Sequence, residues 1–346
     1  MGIGGNETEM DQIKLTIGDA ISKMKEMESN VVDLVIADPP YNLAKDYKAT
    51  KDNMQFGEFI SFTRNWLTEA SRILKPGGTI YIFMGMRLIS YTHVIMEQEL
   101  GLEFRNWITW YYTQGLGKRK GFSSRHDDIL MFTKPGKNPT FNLDDIRVPQ
   151  KYYRSINNMR GANPGNVWEF SHVHYSQINR KPHPTQKPEG IIERMILASS
   201  NKNDVIVDPF SGSGTTVRVA QQLDCQAIGI DIEPSFIEES KQRLSEPFYG
   251  FDSIDDRMLR VPNDLNDEDI RREYFKNHID WFLKNHKSSL INYVTEFKEK
   301  YGSKMSKEEQ LDFDTILKNN NITLKKGRSK VKTDPEFKLD EIINLF

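Results

Sequence analysis

"VIVDPFSGSGTTVRVA", residues 205–220, sets the reading of the whole chain. An apolar, β-branched run ends in Asp208, a glycine-bearing turn follows, and a helix pattern begins near Thr215. Gly212 and Gly214 let the backbone approach a ligand closely, and the free N–H groups of a helix start face an anion. "QAIGID" (226–231) is a second strand pattern that ends in an acid, Asp231, about where an acid meets ribose hydroxyls. Together they point to a nucleoside-containing ligand; a glycine turn with a capping acid is the alternative. Gly214 is followed by Thr215 and Thr216 with no lysine, unlike a phosphate-gripping loop. Val217 stands where a dinucleotide turn needs its third glycine. An ATPase and a nicotinamide enzyme are both disfavoured.

Upstream, apolar runs bounded by turn residues predict strands at 13–17, 31–37, 78–83, 104–112 and 127–133, to which 204–208 and 226–231 are added. Helix spacing occurs at 59–74, where "KPGG" ends the run, and at 189–200 and 215–223. Strands alternating with helices predict an α/β chain with a doubly wound, mainly parallel sheet. From residue 246 strand patterns vanish, and charged helical segments follow near 267–286, 288–300, 306–319 and 335–346. Residues 134–182, rich in Asn, Pro, Gly, Tyr and Arg, read as a long loop, a feature uncommon without a function.

Composition narrows the classes. The chain has 346 residues, a net charge of −2, 37% hydrophobic and 28% charged residues, which fits a soluble protein with a sizeable core. No apolar run is long enough for a membrane span, and "MGIGGNETEMDQ" carries neither a signal peptide nor a myristoylation pattern. A single cysteine, Cys225, excludes a disulfide framework and a cysteine-rich zinc site. A reducing cytoplasm is the expected compartment, and no metal is expected. Basic runs stand at 117–125, 151–154, 179–182 and 325–332; each alone reads as a solvated surface.

A second stretch needs its own explanation. "VVDLVIADPPYNL" (31–43) is a buried-strand pattern that stops at Asp38, Pro39, Pro40 and Tyr41. Prolines end strands, but the acid and aromatic beside them suggest chemistry at the strand exit. "DPPY" together with "DPFSGSGTT" resembles the S-adenosylmethionine-dependent DNA amino-methyltransferases. "HPTQKP" (183–188) and "IGDAISKM" (17–24) add to the likeness. The glycine-rich motif follows the "DPPY" motif, an order similar to the permuted β class found in restriction–modification systems. The likeness covers about residues 11–245 and leaves 246–346 without a match.

That resemblance implies much. The fold would be a seven-stranded, Rossmann-like methyltransferase sheet in which strands 31–37 and 204–208 are central neighbours, with 104–112 and 127–133 as an edge hairpin. Residues 1–245 would form the catalytic domain, with target-recognition segments at 113–126 and 134–182, and 246–346 a helical extension of unknown role. Asp38 and the Pro39 carbonyl would accept hydrogen bonds from an exocyclic amine, favouring a localised nitrogen lone pair and direct attack on the sulfonium methyl. Pro40 fixes the exit, and Tyr41 offers a stacking face for an extruded base. S-adenosyl-L-methionine would be held by Asp19, Ala20, Thr185, Gln186, Lys187, Asp208, Phe210, Gly212, Ser213, Gly214, Thr215 and Asp231, with Lys187 near its carboxylate. Asp19 reads equally as a helix cap. Lys118, Arg119, Lys120, Arg125, Lys151 and Arg154 are candidate DNA contacts.

The expected partners are double-stranded DNA, a second copy of the chain and a cognate restriction endonuclease, with no membrane. The expected product is N6-methyladenine. Cytosine-N4 methylation uses the same mechanism, though Ser more often replaces Asp38 there; a catalytically silent specificity subunit and RNA methylation are the other rivals. Cytosine-C5 chemistry needs a Pro-Cys nucleophile, which "QLDCQA" does not supply.

Overall fold

The structure, a computed structural model, describes residues 8–10, 12–42, 54–112, 119–148, 162–170, 186–246, 266–285, 290–322 and 324. These fall into two compact units, one up to residue 246 and one from residue 266 onward.

The first unit is built on a nine-stranded sheet. Its strands are β1 (Thr8–Met10), β2 (Ile13–Ile17), β3 (Val32–Ala37), β4 (Leu74–Met84), β5 (Glu103–Tyr111), β6 (His126–Thr133), β7 (Val167–Glu169), β8 (Val205–Asp208) and β9 (Gln226–Asp231). The spatial order is β1-β2-β9-β8-β3-β4-β6-β5-β7. All seven predicted strands are present. The two additions, β1 and β7, have three residues each, too few to show an alternating pattern. β7 lies parallel to β5, so the β5–β6 hairpin is not itself the outermost edge.

Strands β2, β9, β8, β3 and β4 are parallel. Such strands are covered on both faces, which explains the near-continuous apolar runs Val32–Ala37 and Val205–Asp208. One core layer joins Leu34, Ile36, Tyr81 and Phe83 to Ile192, Met195 and Val217; the other joins Val35 and Ile82 to Phe59, Trp66, Leu67 and Ile73.

Helix α1 (Ala20–Lys25) follows β2, and α2 (Phe56–Ile73) joins β3 to β4. In α2 the apolar stripe Phe59, Trp66, Leu67, Ala70, Ile73 is buried, and each large side chain contributes roughly 1.5–3 kcal/mol. The helix ends at Ile73, one residue from the expected end. Helix α2 gives way to strand at Leu74, and "KPGG" lies inside β4, where pairing with β3 jumps from Val32↔Leu74 to Leu34↔Thr79. The glycines make an irregularity in the strand, with Gly77 at φ +81°, and do not form a loop. Helix α3 (Ile89–Val94) continues as a π turn to Glu99. Helices α4 (Glu189–Ser199), α5 (Thr215–Gln222) and α6 (Pro234–Ser245) complete the first unit. Of these, α6 was absent from the sequence reading.

The arrangement has one topological switch point. From β3 the chain crosses to β4 on one side, and from β8 it crosses to β9 on the other, while β3 and β8 pair directly at Leu34↔Ile206 and Val35↔Val207. A crevice opens at the carboxyl ends of such diverging strands.

The second unit holds α7 (Glu268–Asn285), α8 (Leu290–Tyr301) and α9 (Lys307–Asn319). Phe275 stacks on Phe313 with centroids 4.2 Å apart and meets Phe297 at 4.8 Å. Arg271 donates to both oxygens of Glu309 at 2.7 and 2.5 Å, both side chains being buried. Three of the four predicted helical segments of this region are observed; residues 335–346 lie outside the described residues.

Candidate active site

Asp38 follows the last residue of β3, and Asp208 ends β8 beside it. One pocket is lined by both acids, by Gln186 and Lys187 before α4, and by the turn from Phe210 to Thr216. Residues far apart in sequence thus meet at the switch point.

The Asp38 carboxylate has two partners. Tyr41 OH donates to Oδ1 at 2.7 Å, and Lys187 Nζ donates to Oδ2 at 2.5 Å. The Lys187 ammonium also lies 5.5 Å from the Tyr41 ring centroid and 5.1 Å from that of Phe83. Lys187 therefore joins the acid–proline motif to the glycine-rich turn, and its backbone carbonyl accepts from Thr215 Oγ1 at 3.4 Å. The Tyr41 hydroxyl fixes the carboxylate, a role beyond the stacking face read from sequence. Pro39 is buried, and Pro40 and Tyr41 are half-buried.

The glycine turn is held from three sides. Gly212 N–H donates to Asp231 Oδ2 at 2.8 Å, and Glu233 N–H to Asp231 Oδ1 at 2.9 Å. Asp231 thus ties the turn to the end of β9, a role beyond the ribose contact read from sequence. Phe210 packs edge-on against Trp66 of α2 at 5.3 Å, pinning the turn's entrance. Gly214 adopts φ +75°, and a Cβ there would lie 2.5 Å from Ser240 Oγ of α6. Its first constraint is packing on α6, where the sequence reading had only close approach to a ligand.

Beneath the turn lies a buried ion pair that sequence reasoning missed. Arg243 of α6 donates to Glu189 Oε1 at 2.5 Å, to the Ser213 carbonyl at 3.2 Å and to Thr215 Oγ1 at 3.0 Å. Arg243 shares the helix face of Phe236, Ser240 and Leu244, a spacing that was the available signal but names no partner 54 residues away. Gly229 was also missed. A Cβ there would meet Ser211 Oγ at 2.7 Å and Val217 Cγ1 at 2.9 Å. A glycine inside the strand pattern "QAIGID" was the available signal.

Asp19 caps α1, accepting from Ser22 N–H at 2.9 Å and Ser22 Oγ at 2.8 Å. It also stands beside the end of β9, because Gly18 N–H donates to the Asp231 carbonyl at 2.9 Å. Ala20 is buried in α1. Of the DNA candidates, Arg119 and Lys120 are exposed and Arg125 is half-buried. Thr185, Lys118, Lys151 and Arg154 lie outside the described residues.

Burial pushes the Asp208 carboxyl up from 3.8 to about 7. Hydrogen bonds from Thr216 and the Phe210 N–H oppose the shift, while Asp38 and Asp231 add to it. The sign follows directly. The native state holds this proton more tightly than the unfolded chain, so the stabilisation is complete below about pH 4 and is lost as pH rises through about 7. Asp208→Asn should therefore flatten the fall in stability of the cofactor-free protein between about pH 5 and 8, by on the order of 2–4 kcal/mol. Urea unfolding across that range checks it, and an unchanged slope would contradict it.

A family model described as DNA methylase matches residues 32–242. The chain belongs to that family. It is 60% identical over 314 residues to the Type II methyltransferase M.HpaI of Haemophilus parainfluenzae, covering 91% of this chain and 99% of that protein. It is 36% identical over 239 residues to the DNA adenine methyltransferase YhdJ of Escherichia coli K12, covering 66% of this chain and 81% of that protein. Among solved structures, the cytosine-N4-specific PvuII DNA methyltransferase superposes with a TM-score of 0.54 at 16% identity, covering 78% of this chain and 93% of that one. That likeness shows the shared fold.

The protein is accordingly a DNA methyltransferase, and its methyl donor is S-adenosyl-L-methionine. The pocket fits that molecule's amino-acid end in its donor set: a cation on Lys187, a buried acid in Asp208, and the start of α5, whose N-cap Gly214 supplies no side-chain bond to the helix N–H groups. Among the described residues no helix is long and apolar enough to cross a membrane.

Proposed function

We propose that the protein methylates adenine N6 within a short double-stranded DNA site, as the modification enzyme of a restriction–modification system in the cytoplasm. The observation that carries the reading is Asp38 at the end of β3, facing the same pocket as Asp208 and the glycine turn. Identity to M.HpaI supports the modification role, and likeness to YhdJ, named an adenine methyltransferase, supports the base.

When bound, S-adenosylmethionine supplies an electrophilic sulfonium methyl. Asp208 and the start of α5 would hold its amino-acid end, and Asp231 and Asp19 would face its nucleoside. Asp38 and the Pro39 carbonyl would accept from the target amine, orienting the nitrogen lone pair. Lys187 now bonds Asp38 Oδ2, which keeps a second lone pair for the amine. The donor's carboxylate offers the ammonium a second anion in the same pocket. Tyr41 keeps Oδ1 in place while the ring faces the base. The amine sheds its proton only after gaining the methyl group, so Asp38 need not be a strong base.

Mass spectrometry of nucleosides from DNA treated with the purified protein tests the base assignment. N6-methyladenine is expected, and N4-methylcytosine without it would overturn the assignment while keeping the mechanism. A second copy of the chain and an endonuclease reading the same site belong to this proposal; sedimentation of the purified protein checks the first.

A further inference from the structure

We propose that Phe122 is a wedge that enters the base stack as the target nucleotide is drawn out. This rests on the methylase acting on an extruded base, which chemistry at an exocyclic amine inside a duplex requires.

Phe122 is 99% exposed; among the described residues the next large hydrophobic side chain, Leu311, is 67% exposed. Holding a whole phenyl ring in water forfeits its burial energy, so its position relative to the active site is informative. That position is fixed by register. The β5–β6 ladder runs up to Tyr111↔His126, and its last bond is from Tyr112 N–H to the Arg125 carbonyl at 2.9 Å. Phe122 stands three residues beyond that bond, within about 10 Å of the sheet rim.

The rim is the one that carries the chemistry. β6 pairs with β4 at Met84↔Asp128, and the next residue of β4's exit, Gly85, lies against the Tyr41 ring. From β6 to β3 is two strand spacings, about 10 Å. Phe122 therefore stands on the same rim of the sheet as the mouth of the crevice into which a base would be drawn, within about 20 Å of it.

Its neighbours suit DNA. Arg119 and Lys120 are exposed immediately before it, and Gly121 at φ +125° makes a turn that L side chains rarely adopt. Cations that can meet phosphates beside an apolar ring form the arrangement by which apolar side chains part adjacent base steps. The phenyl ring would fill the gap left by the departing base and oppose its return. This makes Phe122 a positioning residue; it touches the stack and leaves the reacting atoms to Asp38.

The test separates extrusion from binding. Single-turnover methylation is measured on a duplex that the wild type modifies, and on the same duplex with a mismatch at the target base, which is already partly unstacked. Phe122→Ala should slow the paired target by about tenfold or more and the mismatched one by less than about threefold. Phe122→Trp should keep most of the paired rate. Affinity for S-adenosylmethionine should be unchanged in both variants. Equal losses on paired and mismatched targets, or no loss on the paired one, would overturn the proposal. The comparison is made on whichever base the wild type methylates, so it stands apart from the adenine assignment.

Discussion

An Asp38→Ala variant should lose methyl transfer by on the order of 10²–10³-fold or more, the range seen when one preorganised electrostatic partner of a transition state is removed. S-adenosylmethionine should still bind within about tenfold of the wild-type affinity, or ~1.4 kcal/mol. The split follows from the geometry. Asp38 stands at the exit of β3, while Asp208, Gly212 and Thr215 belong to β8 and the turn into α5. Removing the carboxylate also frees the Lys187 ammonium, which then remains available to the donor's carboxylate. Single-turnover rates and calorimetry read the two halves separately. Wild-type turnover in the variant would remove Asp38 from the chemistry. A cofactor affinity lost in parallel with the rate would mean that the two halves of the pocket are not separable.

The largest expected loss of stability comes from Arg243, a residue that touches no reacting atom. Its side chain is 2% exposed and that of its partner Glu189 4%, so Arg243→Met would take from a buried carboxylate the guanidinium it bonds. Breaking such a pair from one side costs about 3–5 kcal/mol. Removing both charges with Arg243→Met and Glu189→Leu should recover much of that loss, since apolar replacements of buried pairs are often neutral. Urea denaturation of the two variants gives the comparison. If the single variant unfolds at the wild-type midpoint, the pair does not hold α6 to α4. Because Arg243 also bonds the Ser213 carbonyl and Thr215 Oγ1, the single variant should weaken S-adenosylmethionine binding as well.

The local signals in the sequence are those written within a few residues. Asp208 with its turn to Thr215, and Asp38 with its prolines, each set their own strand exit, so strand ends and candidate chemistry were legible without coordinates. The apolar runs of β3 and β8 announced strands covered on both faces. "KPGG" reads as a helix stop, and α2 does end at Ile73, but the following strand starts earlier than the expected residue 78, because pairing with β3 draws Leu74 onward into β4. Helix α6 carries Arg243 inward on the same face as Phe236, Ser240 and Leu244, and that spacing says nothing of the partner it meets there.

Only the tertiary structure decided who meets whom. The ion pair of Lys187 with Asp38 joins residues 149 apart, and that of Arg243 with Glu189 joins residues 54 apart. Neither follows from local spacing, because the pairing of β3 with β8 sets both the rim and the distance across it. The same register lifts Phe122 to that rim of the sheet. The sequence by itself determined the strand ends, the glycine turn and the candidate acids at the strand exits. The sheet order determined that they face one pocket, since contacts between distant segments depend on strand neighbours, and those are chosen by burial over the whole sheet.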